Sequence, residues 1–381
     1  MDVFINDVSA FLPNSPVTND TIEDVLGKVR GVSSKAKRLV LKSNQITQRY
    51  YALDPGSGQL THTNAQLTAE AVRRLQPYEG YVPGDIQCLC CGTTSPDLLF
   101  PGHALMVQGE LGIPACEAVT TSGICLAGIT AFKYACMSVA AGLASNAVAT
   151  GSELASSYMR AQFLTPFYDG VTDLETRPVR AFDADFLRWM LSDGAGAVFL
   201  STGKRKDGLS LKVSWVDVIS YAGVLETCMY GGGMKRADGS IVGWRQTEAF
   251  EPESMPHRFS VRQDIKLLDI EIVRTMGEAL SQVVQKHRLH PDRVDWFLPH
   301  YSSAYFRPKF YDEMKRIGFE VPDSKWVSNL SEKGNTGSAA IFIILEELFH
   351  SDKLQPGQNL LCFIPESGRF SHGFAWLTVE A

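Results

Sequence analysis

The chain predicts an α/β fold made of two similar halves. Short apolar runs punctuated by Gly and Pro alternate with helical patterns along the whole chain, which is the signature of α/β layers. One order of features also occurs twice: helix, strand, polar corner, then a second strand-like segment, a polar turn and a helix of small residues. The 381 residues, 45% of them hydrophobic, are enough for two fused cores.

In the first half, an amphipathic helix over Leu67–Leu75 leads through Pro83-Gly84-Asp85 into a strand over Ile86–Cys91 and the corner Gly92-Thr93-Thr94-Ser95. Glu117–Val119, a polar turn and a small-residue helix over Cys125–Leu143 follow. In the second half, a helix over Ile270–His287 passes Pro291 and Asp292. It enters a strand over Val294–Leu298 and the corner Pro299-His300-Tyr301-Ser302-Ser303. Trp326–Asn329, a polar turn and a helix over Asn335–Leu348 complete the unit. The halves divide as 1–204 and 205–381. A duplicated unit sets equivalent corners around a pseudo-dyad, so Cys125, His300 and Asn335 are expected to converge.

Composition narrows the function. A net charge of −6 with no Lys/Arg stripe argues against nucleic acid as a partner. No apolar run has the length and purity of a membrane helix, and residues 1–15 lack the pattern of a signal peptide. None of the eight cysteines shows paired zinc spacing, so all but one read as buried free thiols of a cytoplasmic protein.

Three residues carry the chemistry. Cys125 follows Thr-Thr-Ser-Gly-Ile and opens a helix, where the helix dipole and free backbone N–H groups favour a thiolate. A lone cysteine in such a place is more often structural. His300 stands where an apolar strand emerges, a common active-site position; His103, His257 and His372 have weaker contexts. Asn335 lies between Gly334 and Gly337, where close backbone approach is possible, and an N-cap is its structural alternative. The Ser192–Val198 stretch lacks phosphate-loop spacing and reads as a tight turn beside the site.

At these residues the chain resembles the β-ketoacyl-acyl-carrier-protein synthase III family. The anchors are the Thr-Thr-Ser corner with Phe100-Pro101, Cys125, Gly151-Ser152, Asp193-Gly-Ala-Gly-Ala, Pro299-His300 and Asn335-Thr336. The resemblance implies a thiolase-like five-layered αβαβα fold and a homodimer. It also implies a Cys125–His300–Asn335 triad, no metal or redox cofactor, and acyl carrier protein thioesters as partners, with acyl-coenzyme A as the other possible donor. Phe100 matches an aromatic that family members insert across the dimer interface into the partner's acyl pocket. Arg307 and Lys309 match basic positions that meet an acidic carrier protein.

Several departures refine the substrate expectation. The family's His-Gln-Ala-Asn reads His300-Tyr301-Ser302-Ser303, and a small residue before the nucleophile is replaced by Ile124. The Trp that stacks on coenzyme A has no clear match around Val29–Asn44, which favours a carrier-protein donor. The family's C-terminal glycine-rich loop reads Glu366-Ser-Gly-Arg-Phe-Ser-His-Gly-Phe-Ala, with Gly368 retained and two charges added.

Glu153 follows Gly151-Ser152, with Arg160 at helical spacing, and the resemblance places it and Arg369 near the nucleophile. A carboxyl beside an apolar tunnel would be a proton shuttle, and Arg369 would orient it or the substrate; a structural Glu–Arg pair or a helix cap is the alternative. These features resemble ketosynthases of dialkylresorcinol and stilbene pathways, which close a cyclohexane-1,3-dione ring by Claisen condensation and Michael addition. Rival readings are a decarboxylative initiating synthase using malonyl thioester, a Cys-dependent acyltransferase, and a non-catalytic subunit of a condensing heterodimer.

Overall fold

The computed structural model describes residues 1–164, 186–246 and 261–381. Its main sheet takes β1 (Phe4–Phe11), β2 (Cys88–Thr93), β3 (Glu117–Ser122), β4 (Asn146–Glu153) and β5 (Gly194–Ser201) from the first half. The second half adds β6 (Ser210–Ser220), β7 (Trp296–Pro299), β8 (Asn359–Glu366) and β9 (Ser371–Glu380). The six helices that cover this sheet are α1 (Asn64–Arg73), α2 (His103–Leu111), α3 (Leu126–Ala140), α4 (Ile265–His287), α5 (Phe306–Arg316) and α6 (Ala340–Phe349).

The strand order is β7-β8-β9-β6-β1-β5-β4-β2-β3. Its middle joint is weak: β1 meets β6 through only Phe4↔Lys212 and Ile5↔Leu211. On either side the halves repeat. β4 runs parallel to β2 and antiparallel to β5, just as β8 runs parallel to β7 and antiparallel to β9. Where β3 pairs with β2, the second half has a single parallel bridge, Phe297↔Trp326. The joint between β5 and β6 spans the expected division at 204/205.

The two half-sheets enclose α3 and α6, which pack on strands of both halves, while α1 and α2 cover one outer face and α4 covers the other. The order is therefore five layers, αβαβα. The sequence accounts for each layer. α3 is apolar almost all round, from Leu126 to Val139, as a helix between two sheets must be. β2 is wholly buried, including Cys88, Cys90 and Cys91, because both its faces are covered. α1 begins at a capping box in which Thr63 and Gln66 satisfy each other's backbone N–H groups. α4 begins where the Asp264 carboxylate accepts from Leu267 N at 3.1 Å. Among the described residues no helix is long and apolar enough to cross a membrane.

Two glycines let the central layer close. A Cβ at Gly128 of α3, or at Gly151 of β4, would overlap the Ser338 carbonyl oxygen and press on the Phe342 ring. The turn before α6 thus sits directly on the start of the Cys125 helix. Overpacking a close contact of this kind costs ~1–3 kcal/mol. Gly151→Ala is expected to lower the urea denaturation midpoint accordingly; an unchanged midpoint would mean the contact is slack.

Candidate active site

Cys125 is the N-cap of α3 and is 7% exposed. The polar strand β3 and the turn Gly123-Ile124 bring the chain to this point. It shares a cavity with Glu153, at the end of β4, and with Asn335, in the turn before α6; Thr94, Tyr158, Ser302 and Ser367 also line it. The apolar wall is Ile124, Ala155, Leu187, Met190, Leu191 and Met229. The free volume is ≈ 30 Å³, room for about one water. The unbranched side chains of Met190 and Met229 are suited to yielding.

The Glu153 carboxyl is cradled by donors. Oε1 accepts from Thr94 N at 3.2 Å, Thr94 Oγ1 at 2.5 Å and Ser338 N at 3.2 Å, and Oε2 from Ser95 Oγ at 3.4 Å. Burial outweighs these donors and pushes Glu153 up to about 7. Among the described residues no arginine pairs with it: Arg160 donates instead to Gly58 O at 3.2 Å.

Asn335 is held by its backbone, with N donating to Met190 O and O accepting from Ser192 N. It is not an N-cap, since α6 starts only at Ala340; its Oδ1 accepts from Gly337 N at 3.0 Å, which leaves Nδ2 as the amide's donor. His300 continues β7, its N bonded to Phe363 O. Its ring is buried, and among the described residues Nε2 has no partner. Burial lowers its basicity to a pKa of about 4, so the imidazole is neutral near pH 7. His300 does not itself line the cavity, although Ser302 of the same corner does.

One electrostatic expectation is reversed. Burial pushes the Cys125 thiol well above its ordinary value, and the charges of Glu366 and Glu153 push it the same way. The helix N-terminus pulls toward thiolate but is outweighed, so Cys125 rests as a thiol.

The remaining expected residues are placed as follows. Arg369 does not join the site. It is exposed, and its Nε donates to Leu225 O at 2.8 Å on the outer side of the loop. Gly368 stays close: a Cβ there would press on Ile124 and on the Glu366 carboxyl. Arg307 pairs with Asp323 at 2.6 Å and lies over Trp326, while Lys309 pairs with Asp269 at 2.5 Å. Phe100 is 76% exposed, beside exposed Leu98 and Leu99. His103 is a core residue between Thr68 and Ser152, and His372 bonds Thr275 at 2.8 Å. His257 lies outside the described residues.

Reading the sequence missed Tyr158 and Glu366. Tyr158 follows Glu153 by five residues, and nothing in its context marks a cavity wall. Glu366 was visible only as a charge in a loop, and Arg369 drew the attention.

Comparisons with known proteins place this geometry in a family. Residues 113–206 match the β-ketoacyl synthase N-terminal domain, and residues 284–378 match the C-terminal domain of 3-oxoacyl-[acyl-carrier-protein] synthase III. The β-ketoacyl-[acyl-carrier-protein] synthase III of Chlorobaculum tepidum is 21% identical over 378 residues, covering 99% of this chain and 98% of its own. Among solved structures, AbyA1, a tetronic acid condensing enzyme, superposes with a TM-score of 0.77 at 21% identity, with 99% of each chain covered. OleA of Xanthomonas campestris gives 0.73 at 17% identity, again with 99% of each chain covered. These structures share the thiolase-like layering. The chain is a condensing ketosynthase similar over nearly its whole length to β-ketoacyl-acyl-carrier-protein synthase III, a carbon–carbon bond-forming acyltransferase.

Proposed function

We propose that this protein loads an acyl group from a thioester onto Cys125 and condenses it with a β-ketoacyl carrier-protein thioester. The observation that supports this reading is the one cavity lined by Cys125, Glu153 and Asn335, with Ser302 of the His300 corner in its wall and the His300 Nε2 buried without a partner among the described residues. A buried polar atom without a partner calls for an explanation, and an incoming thioester oxygen supplies one.

Attack by Cys125 Sγ on the donor carbonyl gives the acyl-enzyme and releases the donor thiol. The second thioester then directs its carbonyl oxygen at His300 Nε2 and Asn335 Nδ2. A neutral imidazole donates a hydrogen bond to the growing enolate without handing over its proton. The Glu153 carboxylate takes the α-proton, the enolate carbon attacks the acyl carbonyl, and the bond to Sγ breaks. The departing thiolate recovers its proton from Glu153.

With a 2-enoyl group on Cys125, a second bond can follow. Glu153 takes a proton from the γ-carbon of the β-ketoacyl unit, that carbon attacks the enoyl β-carbon, and the proton returns to the enoyl α-carbon. Three carbons from each partner close a cyclohexane-1,3-dione, the ring expected of dialkylresorcinol- and stilbene-type biosynthesis. Plain condensation needs one such proton transfer; a carboxyl poised near neutrality serves both.

The same reading includes a homodimer. Leu98, Leu99 and Phe100 expose apolar surface near the edge strand β3, which a second copy would cover. An acidic carrier would reach Arg307 and Lys309 only by exchanging their present partners, Asp323 and Asp269.

Supplying a β-ketoacyl and a 2-enoyl carrier-protein thioester together is expected to yield a cyclohexanedione by mass spectrometry. Product only from malonyl thioester, with carbon dioxide released, would identify a decarboxylating synthase instead. Glu153→Gln should still accept the acyl group but slow condensation from preloaded acyl-enzyme by on the order of 10²-fold or more. Because the carboxylate is the working form, the wild-type single-turnover rate should rise with pH through about 7. The Gln variant should show no such rise. Unchanged product and profile in that variant would remove Glu153 from the mechanism.

A further inference from the structure

Glu366 holds in the second half the place that Glu153 holds in the first. β4 and β8 are both eight-residue strands that end on these glutamates. Each is parallel to an inner strand, β2 or β7, and antiparallel to the strand that follows it. In each, the glutamate pairs with the first residue of that following strand: Glu153 with Gly194, and Glu366 with Ser371. The corners after the two inner strands also correspond, and Thr94 and Ser302 from them line the same cavity. Cys125 sits at the start of the helix enclosed between the two half-sheets, so the pseudo-dyad presents it with one carboxyl from each side.

The surroundings of Glu366 agree with this placement. Its carboxyl accepts from Gly368 N, and Gly368 backs onto Ile124, the residue before the nucleophile. Ser367 lines the cavity. Cys228, with Asp264 and Lys235 beyond it, packs on the outer side through its N–H to Gly368 O. The charges of Glu366 and of Glu153 both act on the Cys125 thiol, and the Arg369 side chain turns away to Leu225 O. Burial raises Glu366 to about 7, opposed by the Gly368, Ser371 and Arg369 dipoles rather than by a cation.

We propose that Glu366 is a second acid–base group of the site, serving the Cys125 thiol during acylation while Glu153 serves the condensation. This rests on Cys125 being the acylated residue. As Sγ attacks the thioester carbonyl carbon, the Glu366 carboxylate accepts the Sγ proton. The tetrahedral adduct collapses, the bond to the donor sulfur breaks, and that sulfur takes the proton from Glu366. The acyl group has moved to Cys125, the donor leaves as a thiol, and the carboxylate is restored.

The test uses the full chain and a simple acyl thioester. Acylation is quenched at intervals from pH 6 to 9 and read by intact mass, with peptide mapping of the adduct; alkylation by iodoacetamide is followed in parallel. Glu366→Gln is expected to acylate at least tenfold more slowly at pH 8 and to lose the inflection near pH 7. It should also alkylate at lower pH than wild type, because a negative charge beside the thiol is gone. Glu366→Asp, which keeps the carboxyl, should keep the inflection at a reduced rate, and a thermal melt of each variant separates loss of folding from loss of chemistry. Wild-type acylation and alkylation profiles in a folded Gln variant would overturn the proposal. A wild-type adduct that maps away from Cys125 would instead overturn the nucleophile assignment on which it stands.

Discussion

The turn at Ser338 is the contact on which the site depends. It belongs to the second half, yet its carbonyl lies against Gly128 and Gly151 of the first half, its N–H bonds Glu153, and its hydroxyl donates to Ser152 O at 2.9 Å. One dipeptide-sized element thereby fixes the start of the Cys125 helix, the end of β4 and the loop carrying Asn335. Without glycine at 128 and 151 the two halves could not close to this distance. The geometry of the nucleophile and the geometry of its neighbours are thus set by one contact.

Burial then tunes every titratable group in the same direction, toward neutrality. The thiol is pushed up, both carboxyls are pushed up to about 7, and the imidazole is pushed down to about 4. A site of neutral groups suits chemistry that passes through enolates, because the charge that appears during reaction meets oriented donors rather than pre-existing ions. In the proposed reaction protons are moved at each step, and that is the work proposed for the two carboxyls. The small free volume is in keeping with this: the cavity has room for about one water.

Much of this was legible in the sequence. Alternating runs and a twice-repeated order foretold the layers, because strand and helix periodicities are local properties. That Cys125 and Asn335 meet at one cavity was legible because each stands at a boundary between an apolar element and a polar corner; His300, read on the same ground, lies outside the cavity wall. The failures were of side-chain direction. In the Glu366–Phe370 loop, the pairing of Glu366 with Ser371 turns Glu366 inward, whereas Arg369 reaches out to Leu225. Which way a loop charge points depends on where the hairpin register ends, and no local pattern encodes that. The helix dipole at Cys125 was readable, but the opposing burial and carboxyl charges come from residues distant in the chain. Asn335 reads as an N-cap by composition, yet the following 3-10 turn over Gly337–Ala339 delays the helix beyond its reach.

The central claim is that this buried thiol, despite its resting neutrality, becomes an acyl thioester. Intact-protein mass spectrometry after mixing with a carrier-protein acyl thioester measures that directly. The account predicts that wild type gains the mass of one acyl group per chain and that Cys125→Ala gains none. The same adduct on both proteins, or on neither, would contradict it.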